Sequence, residues 1–411
     1  MSTIQQMLGM NGGSFKRAEK MALDMITKAG GQTDIWLDLA LLLHAQGKVE
    51  GSRQALARFE KLDPDNLRLR FAQCWFKLYD GDLQGGLEHI EIGRKLGCLG
   101  ERGVERQLSS PRWDGKAALA GKTILLVSEG GMGDQIMCVR SAKHFSDRGA
   151  KVIVDCSQGL MSLFSRCTGV TIAVNGTFPR VQESNDANGA RTVSSLGKRV
   201  FHDYHLLAMS AFKLLDCSWE TLWQGQYVLP QALETWERII PTPKSGGLNV
   251  GLRWSGNPLF EHEQLRLFPP ELLFKTMDIP GIKFWSLQKD DHSAILLEGL
   301  TDLEPLLSDW EQTAAAIARM DLVITSCTSI AHLAGAIGIP TWVAVPAMPY
   351  HPWAYPLPGR RNKWYPSVRL YRQKCHGDWK EVFDDIHSDL ATLSGRASAP
   401  VAAAREPAAA V

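Results

Sequence analysis

Apolar positions recur along this chain with two different periods, and the change falls near residue 120. Over residues 14–96 the spacing is helical. In DIWLDLALLLHAQGKVEGSRQALARFEKLDPDN, Trp36, Leu39, Ala40, Leu43 and Leu56 lie along the inner faces of consecutive helices. Residues 14–29 and 67–96 have the same texture, and Gly13, Gly47 and Gly81 recur at 34-residue intervals. Such a period denotes stacked helix pairs, because one pair cannot bury its apolar face without a neighbour. Beyond residue 120 short apolar runs alternate with helical patterns. KTILLVSEG, AKVIVDC and VTIAV read as buried strands, separated by helices over residues 132–148 and 158–166. After PTPKSGG, a linker by composition, the alternation resumes with LNVGLRWSG, IKFWSLQ, DLVITSC and TWVAVP. Helices are expected from Pro269, near 311–320 and over 329–338. Residues 176–200, with ESNDANGARTVSS, read as a loop, and SGRASAPVAAAREPAAAV as a disordered Ala/Pro tail.

Strands alternating with helices form parallel βαβ units covered on both faces. The expected fold is therefore α/β, two Rossmann-like domains facing a cleft, preceded by a small all-α domain. The boundaries fall at 1–107 for the helical repeats, 108–240 and 241–393 for the two α/β domains, and 394–411 for the tail. Open sheets of this kind bind ligands beyond the carboxyl ends of their strands, so both domains offer loops to the cleft. The helical segment places Trp36, Leu39, Ala40, Leu43, Gly47, Leu56 and Pro64 in a way that resembles the tetratricopeptide repeat. That resemblance implies a concave surface for a protein or peptide; the plainer reading is a helical cap that stabilises the α/β body.

Composition removes several function classes. A formal net charge of +1 gives no general electrostatic reason for nucleic acid or an anionic membrane as partner. The 8 cysteines include no CxxC pair, which argues against a disulfide framework or a zinc site and suits a reducing compartment. The N-terminal stretch lacks the apolar core of a signal peptide, and no run reads as a transmembrane segment, so a cytoplasmic protein is expected.

Candidate chemistry centres on SEGGMGDQIM, residues 128–137. A glycine-rich turn after a strand suggests a dinucleotide site, but the G-x-G-x-x-G fingerprint lacks its third glycine here. Asp134 would also repel an anion. A carboxylate in the first turn of a helix is favoured by the helix dipole. Facing a cleft, it can serve as general base toward a hydroxyl, or it can simply cap its helix. His332, on an Ala/Leu-rich helix, reads as a packing histidine, and His202 with His205 is too short a pair for a metal site. The segment MPYHPWAYPLPGRRNKWYPS can shape a sugar or acceptor pocket, or, the plainer reading for most of its residues, form a stiff packed loop.

EGGMGDQIMCVRSAKHF resembles the first βα unit of the heptosyltransferase-like glycosyltransferases, family nine, of the GT-B fold. GLRWSGNP, FEHEQLRLFPPELLF, KFWSLQKD, DLVITSCTSIAHLAGAIGIPTWVAVP and WYPSVRLYRQ follow in that family's order. The resemblance implies inverting, metal-independent transfer of a sugar from a nucleotide-diphosphate-sugar to a hydroxyl on a protein or glycan acceptor. No cofactor is implied; the nucleotide-sugar is a substrate. Asp134 matches the family's proposed base. Arg266 falls where members carry a cation for the donor diphosphate, and Thr328 and Ser329 match the phosphate-contacting helix start. Gln288, Arg253, Gly131 and Gly133 are expected nucleotide or sugar contacts. Cys327 and Gln312 stand where the family often has aspartates. Those two departures motivate an alternative: a non-catalytic tetratricopeptide interaction protein whose GT-B body senses a nucleotide-sugar.

Overall fold

The computed structural model describes residues 13–28, 33–96, 108, 110–175, 200–243, 246–258, 263–289, 298–354 and 357–398. The loop expected over 176–200 lies outside these residues except for Val200.

The chain begins with helices α1 (Phe15–Lys28), α2 (Thr33–Ala45), α3 (Val49–Leu62), α4 (Leu67–Tyr79) and α5 (Leu83–Leu96). They stack as hairpins around Ala18, Leu39, Ala40, Leu56, Phe59 and Leu69. The periodic glycines Gly13, Gly47 and Gly81 all adopt positive φ, at 75°, 75° and 84°, which returns the chain between helices. Asn66 starts α4 by accepting from the backbone N–H of Arg68 at 2.9 Å and Leu69 at 3.2 Å.

The first α/β unit holds β1 (Thr123–Val127), β2 (Lys151–Asp155), β3 (Ile172–Val174) and β4 (Tyr204–Leu207) in the order β3-β2-β1-β4. The second holds β5 (Leu248–Arg253), β6 (Ile282–Ser286), β7 (Leu300–Asp302), β8 (Leu322–Ser326), β9 (Thr341–Val345) and β10 (Val368–Arg372), ordered β10-β9-β8-β5-β6-β7. Every pairing is parallel. Both sheets reverse direction partway: β1 lies between β2 and β4, and β5 lies between β6 and β8. Crevices open at such reversals, beyond the strand ends. The expected architecture of helical repeats followed by two parallel α/β units facing a cleft is thus observed.

The α/β units carry helices α6 (Met132–Val139), α7 (Trp310–Ile317) and α8 (Ser329–Ile337) between their strands. The single helix expected over 132–148 is broken at Arg140, and a second helix runs Ser141–Asp147. Side chains compete for the carbonyls that would continue the ladder. Arg140 Nε takes the Met137 carbonyl at 3.0 Å, and Ser141 Oγ takes that of Cys138 at 2.8 Å. The fully buried Arg140 guanidinium lies 4.9 Å from the Tyr227 ring and 4.4 Å from that of Tyr365, tying the break to the C-terminal half. The last helix, α9 (Lys380–Ser398), buries Val382, Phe383, Ile386 and Leu390 against the second sheet. Residues 394–398 are therefore helical rather than part of a tail, and Ser394 Oγ donates to the Pro280 carbonyl at 2.8 Å. The remainder of the expected tail lies outside the described residues.

The repeats do not stand apart from the body. On the first unit, Arg94 of α5 forms a two-pronged ion pair with the buried Glu129 just after β1, and Trp219 Nε1 donates to the Gly81 carbonyl at 2.8 Å. On the second, His376 N–H donates to the Ala45 carbonyl at 3.1 Å, while Leu265 and Met348 pack into the repeat core. The helical domain bridges both halves. Among the described residues no helix is long and apolar enough to cross a membrane.

Candidate active site

The two sheet reversals and the inner side of the repeats enclose one cavity of about 780 Å³. Asp134, Arg253, Arg266, Thr328, Ser329, Gly131 and Gly133 all line it. Residues far apart in sequence thus meet in one place, as strand-end geometry requires.

Asp134 enters in the first turn of α6. The Gly131 N–H donates to its Oδ2 at 2.8 Å, and the Tyr350 hydroxyl donates to the same carboxylate. Burial pushes the carboxyl up to about 6, helped by the charge of Glu129, while the two hydrogen bonds oppose the rise. A carboxylate so poised accepts a proton near neutral pH better than an ordinary aspartate.

The glycines of the turn serve this carboxylate and the helix beside it. Gly130 has φ +69°, and a Cβ there would lie 2.5 Å from Asp134 Oδ2. At Gly133 a Cβ would lie 2.7 Å from His332 Cδ2 and 3.5 Å from the Ser329 Cα. Gly133 therefore lets α6 and α8 touch, which brings Asp134 beside the start of α8.

That start is Thr328, extended in backbone and buried, with Ser329 as the first helical residue. Its leading N–H groups and the helix dipole favour an anion. Two guanidinium groups share the wall. Arg253, closing β5, donates through Nε to the Ser255 carbonyl and through Nη1 to that of Leu287, both at 3.0 Å. Arg266 donates through Nη1 to the Cys327 carbonyl at 2.7 Å and through Nε to Glu263 at 2.6 Å. Glu263 also accepts from the Gly256 N–H at 2.6 Å. Burial pushes the Cys327 thiol up to about 11, so Cys327 stays neutral beside Thr328.

One expectation is corrected. Gln288 does not face the cavity; it is buried behind the wall with its amide fully engaged. Its Oε1 accepts from the N–H of Trp254 at 3.2 Å and Ser255 at 3.1 Å, and its Nε2 donates to Ser255 Oγ at 2.8 Å. It braces the loop after β5 rather than offering a free amide. Gln312 likewise sits away from the cavity, where its Oε1 accepts from Trp236 Nε1 at 2.8 Å. Its departure from the family pattern falls outside the cavity wall. His332 is a packing residue, with Nδ1 2.8 Å from the Tyr365 hydroxyl, yet it also lines the cavity. His205 pairs with Ser110 and His202 with a backbone carbonyl. Among the described residues no group of three His, Cys, Asp or Glu side chains is arranged to hold a metal.

The third wall was not foreseen. Leu41, His44, Trp75, Phe76 and Tyr79 of the repeats line the same cavity, together with Tyr350 and Trp353 of the aromatic loop after β9. Burial and the charge of Arg372 lower His44 to about 4, so it presents a neutral ring. The helical periodicity marks these residues as inward-facing, but it does not say that the surface they meet is a ligand cavity.

No family model matches the chain. Over 315 residues it is 26% identical to Protein FlbA of Caulobacter vibrioides, an alignment covering 69% of this chain and 48% of that protein. The chain thus spans about half the length of the curated relative it matches. Among solved structures it is similar to a glycosyl transferase family 9 protein from Veillonella parvula, at 12% identity and TM-score 0.47 over 69% of this chain and 99% of that one. It is also similar to the E. coli ADP-heptose LPS heptosyltransferase II, at 13% identity and TM-score 0.45 over 67% and 100%. A Thermobaculum terrenum O-GlcNAc transferase aligns over 97% of this chain and 93% of that one, at 13% identity and TM-score 0.28.

Proposed function

We propose that this chain is an inverting glycosyltransferase that moves a sugar from a nucleotide-diphosphate-sugar to a hydroxyl on a protein or glycan acceptor. One observation carries the reading. A carboxylate poised near neutral pH, a helix N-terminus and two arginines face the same cavity at the reversal points of two parallel sheets.

The chemistry follows from charge. Breaking the bond between the anomeric carbon and the diphosphate leaves negative charge on phosphate and positive character on the sugar. In this reading Arg253, Arg266 and the leading N–H groups of α8 receive the first, and fixed donors cost no reorganisation as charge develops. Guanidinium groups suit a diphosphate because they donate paired hydrogen bonds. The acceptor hydroxyl attacks the face opposite the leaving group while Asp134 removes its proton. With neutralisation supplied in this way, the reading calls for no metal ion. The contact through Gly133 holds base and phosphate site together, the proximity such a displacement needs.

The ion pair of Arg266 with Glu263 favours a second reading, in which donor binding is weak and the body senses a nucleotide-sugar without transferring it. Both readings are tested by incubating the chain with nucleotide-sugars and a hydroxyl acceptor and following the anomeric proton by NMR. Transfer with inverted configuration supports the enzyme. Binding to any nucleotide-sugar without transfer selects the sensor, and a retained configuration rejects the direct displacement.

A further inference from the structure

We infer that the helical repeats act on the reaction centre itself, through an aromatic relay in which Trp75 holds Tyr350 and Tyr350 holds the Asp134 carboxylate. The inference rests on Asp134 being the base of the proposed reaction. It concerns how that base is kept in place.

Three contacts build the relay. Trp75, on α4, packs its ring 5.3 Å from that of Tyr350 at an interplanar angle of 46°. Phe71, one turn earlier, supports the indole edge-on at 6.2 Å. The Tyr350 hydroxyl then donates to Asp134. The loop that carries Tyr350 is fixed further along the chain, where Arg372 Nη2 donates to the carbonyls of Trp353 and Ala354. Tyr350, part of the second α/β unit, thus rests on a repeat helix, while the carboxylate it contacts belongs to the first unit. All three bodies of the molecule meet at this one carboxylate.

The relay has a chemical consequence. A hydroxyl that donates to the ionised carboxylate lowers its proton affinity and fixes its orientation. The groups facing Asp134 act from several elements. Glu129, at the end of β1, raises its proton affinity, and Arg94 of α5 pairs with Glu129. Cys138 lies one turn along α6, Arg140 directly follows that helix, and His332 packs across Gly133 from α8. Cys74, beside Trp75 on α4, faces Tyr350. Removing the Tyr350 hydroxyl leaves this set in place and deletes one donor. Asp134 then titrates higher but remains a competent base once ionised. A merely structural role for Trp75 and Tyr350 would instead lower the rate equally at every pH.

The test is a 13C-carboxyl NMR titration of Asp134 in the full chain, run beside the pH dependence of kcat/KM for transfer. Tyr350→Phe is expected to move the Asp134 midpoint and the acid limb of the profile upward together by about one pH unit. Trp75→Leu is expected to move both in the same direction by less, and Trp75→Phe to return them toward wild type. An unmoved midpoint in Tyr350→Phe, or a rate loss uniform in pH, overturns the relay. Tyr350→Phe removes a single oxygen, so the result does not hinge on whether Trp75→Leu folds. Undiminished turnover in Asp134→Asn would reject the base assignment, yet the titration would still report whether Tyr350 holds the carboxylate.

Discussion

Asp134 is held by competing influences, and their balance defines what its substitution should do. Burial and Glu129 favour the protonated form, while Gly131 and Tyr350 favour the anion. Because the base must be ionised to take a proton, transfer is expected to rise with pH through a midpoint of about 6 and to fall below it, read from kcat/KM profiles. Asp134→Asn keeps the shape but loses the base, and kcat is expected to fall by about 10²–10⁴-fold. Arg266→Ala removes one donor from the phosphate wall and frees Glu263, so nucleoside diphosphate affinity, measured by calorimetry, should weaken by about 1.5–3 kcal/mol. The strand-then-glycine pattern placed Asp134 in the first turn of a helix, since only a short tight turn fits between an apolar run and a helix; its reading as a base came from the family resemblance. Tyr350 lay in the aromatic segment read as able to shape a pocket, but its contact with Asp134 was not legible, and neither was that of Trp75 with Tyr350, because these residues meet from distant parts of the chain. For Gln288 the loop was read correctly but its side-chain direction was not; an amide at a strand end satisfies backbone donors as readily as a ligand.

At the scale of elements, the decisive contact is that of α6 with α8. Gly133 makes it possible, and it also lines the cavity where the resemblance had placed a nucleotide or sugar contact. Gly133→Ala puts a methyl group into the His332 ring and the start of α8. It is expected to cost about 1–3 kcal/mol, measured by urea unfolding, and to lower transfer by spreading base and phosphate site apart. The strands were legible because parallel sheets buried on both faces need unbroken apolar runs. The break at Arg140 was not, because the pattern of apolar positions continues through it. What interrupts the helix is side-chain competition for two carbonyls, with Arg140 drawn into an aromatic site supplied in part by Tyr365.

For the whole molecule, the repeats are a structural partner of both α/β units and a wall of their shared cavity. The 34-residue period revealed the repeats themselves, but a period describes contacts between neighbours, not docking on a distant domain. Glu129 is almost completely buried, and Arg94 supplies its countercharge from the helical domain. Arg94→Ala leaves that carboxylate buried without its ion pair and is expected to destabilise the protein by about 3–5 kcal/mol, measured by denaturant unfolding. A freely hanging adaptor would show almost no effect. The central claim is sugar transfer at this cavity with Asp134 as base, and the most direct test is acceptor-dependent release of nucleoside diphosphate across a panel of nucleotide-sugars, wild type beside Asp134→Asn. The account predicts release with at least one donor by the wild type and a loss of at least about 10²-fold in the variant. Release by the variant at the wild-type rate, or from no donor by either protein, would contradict it.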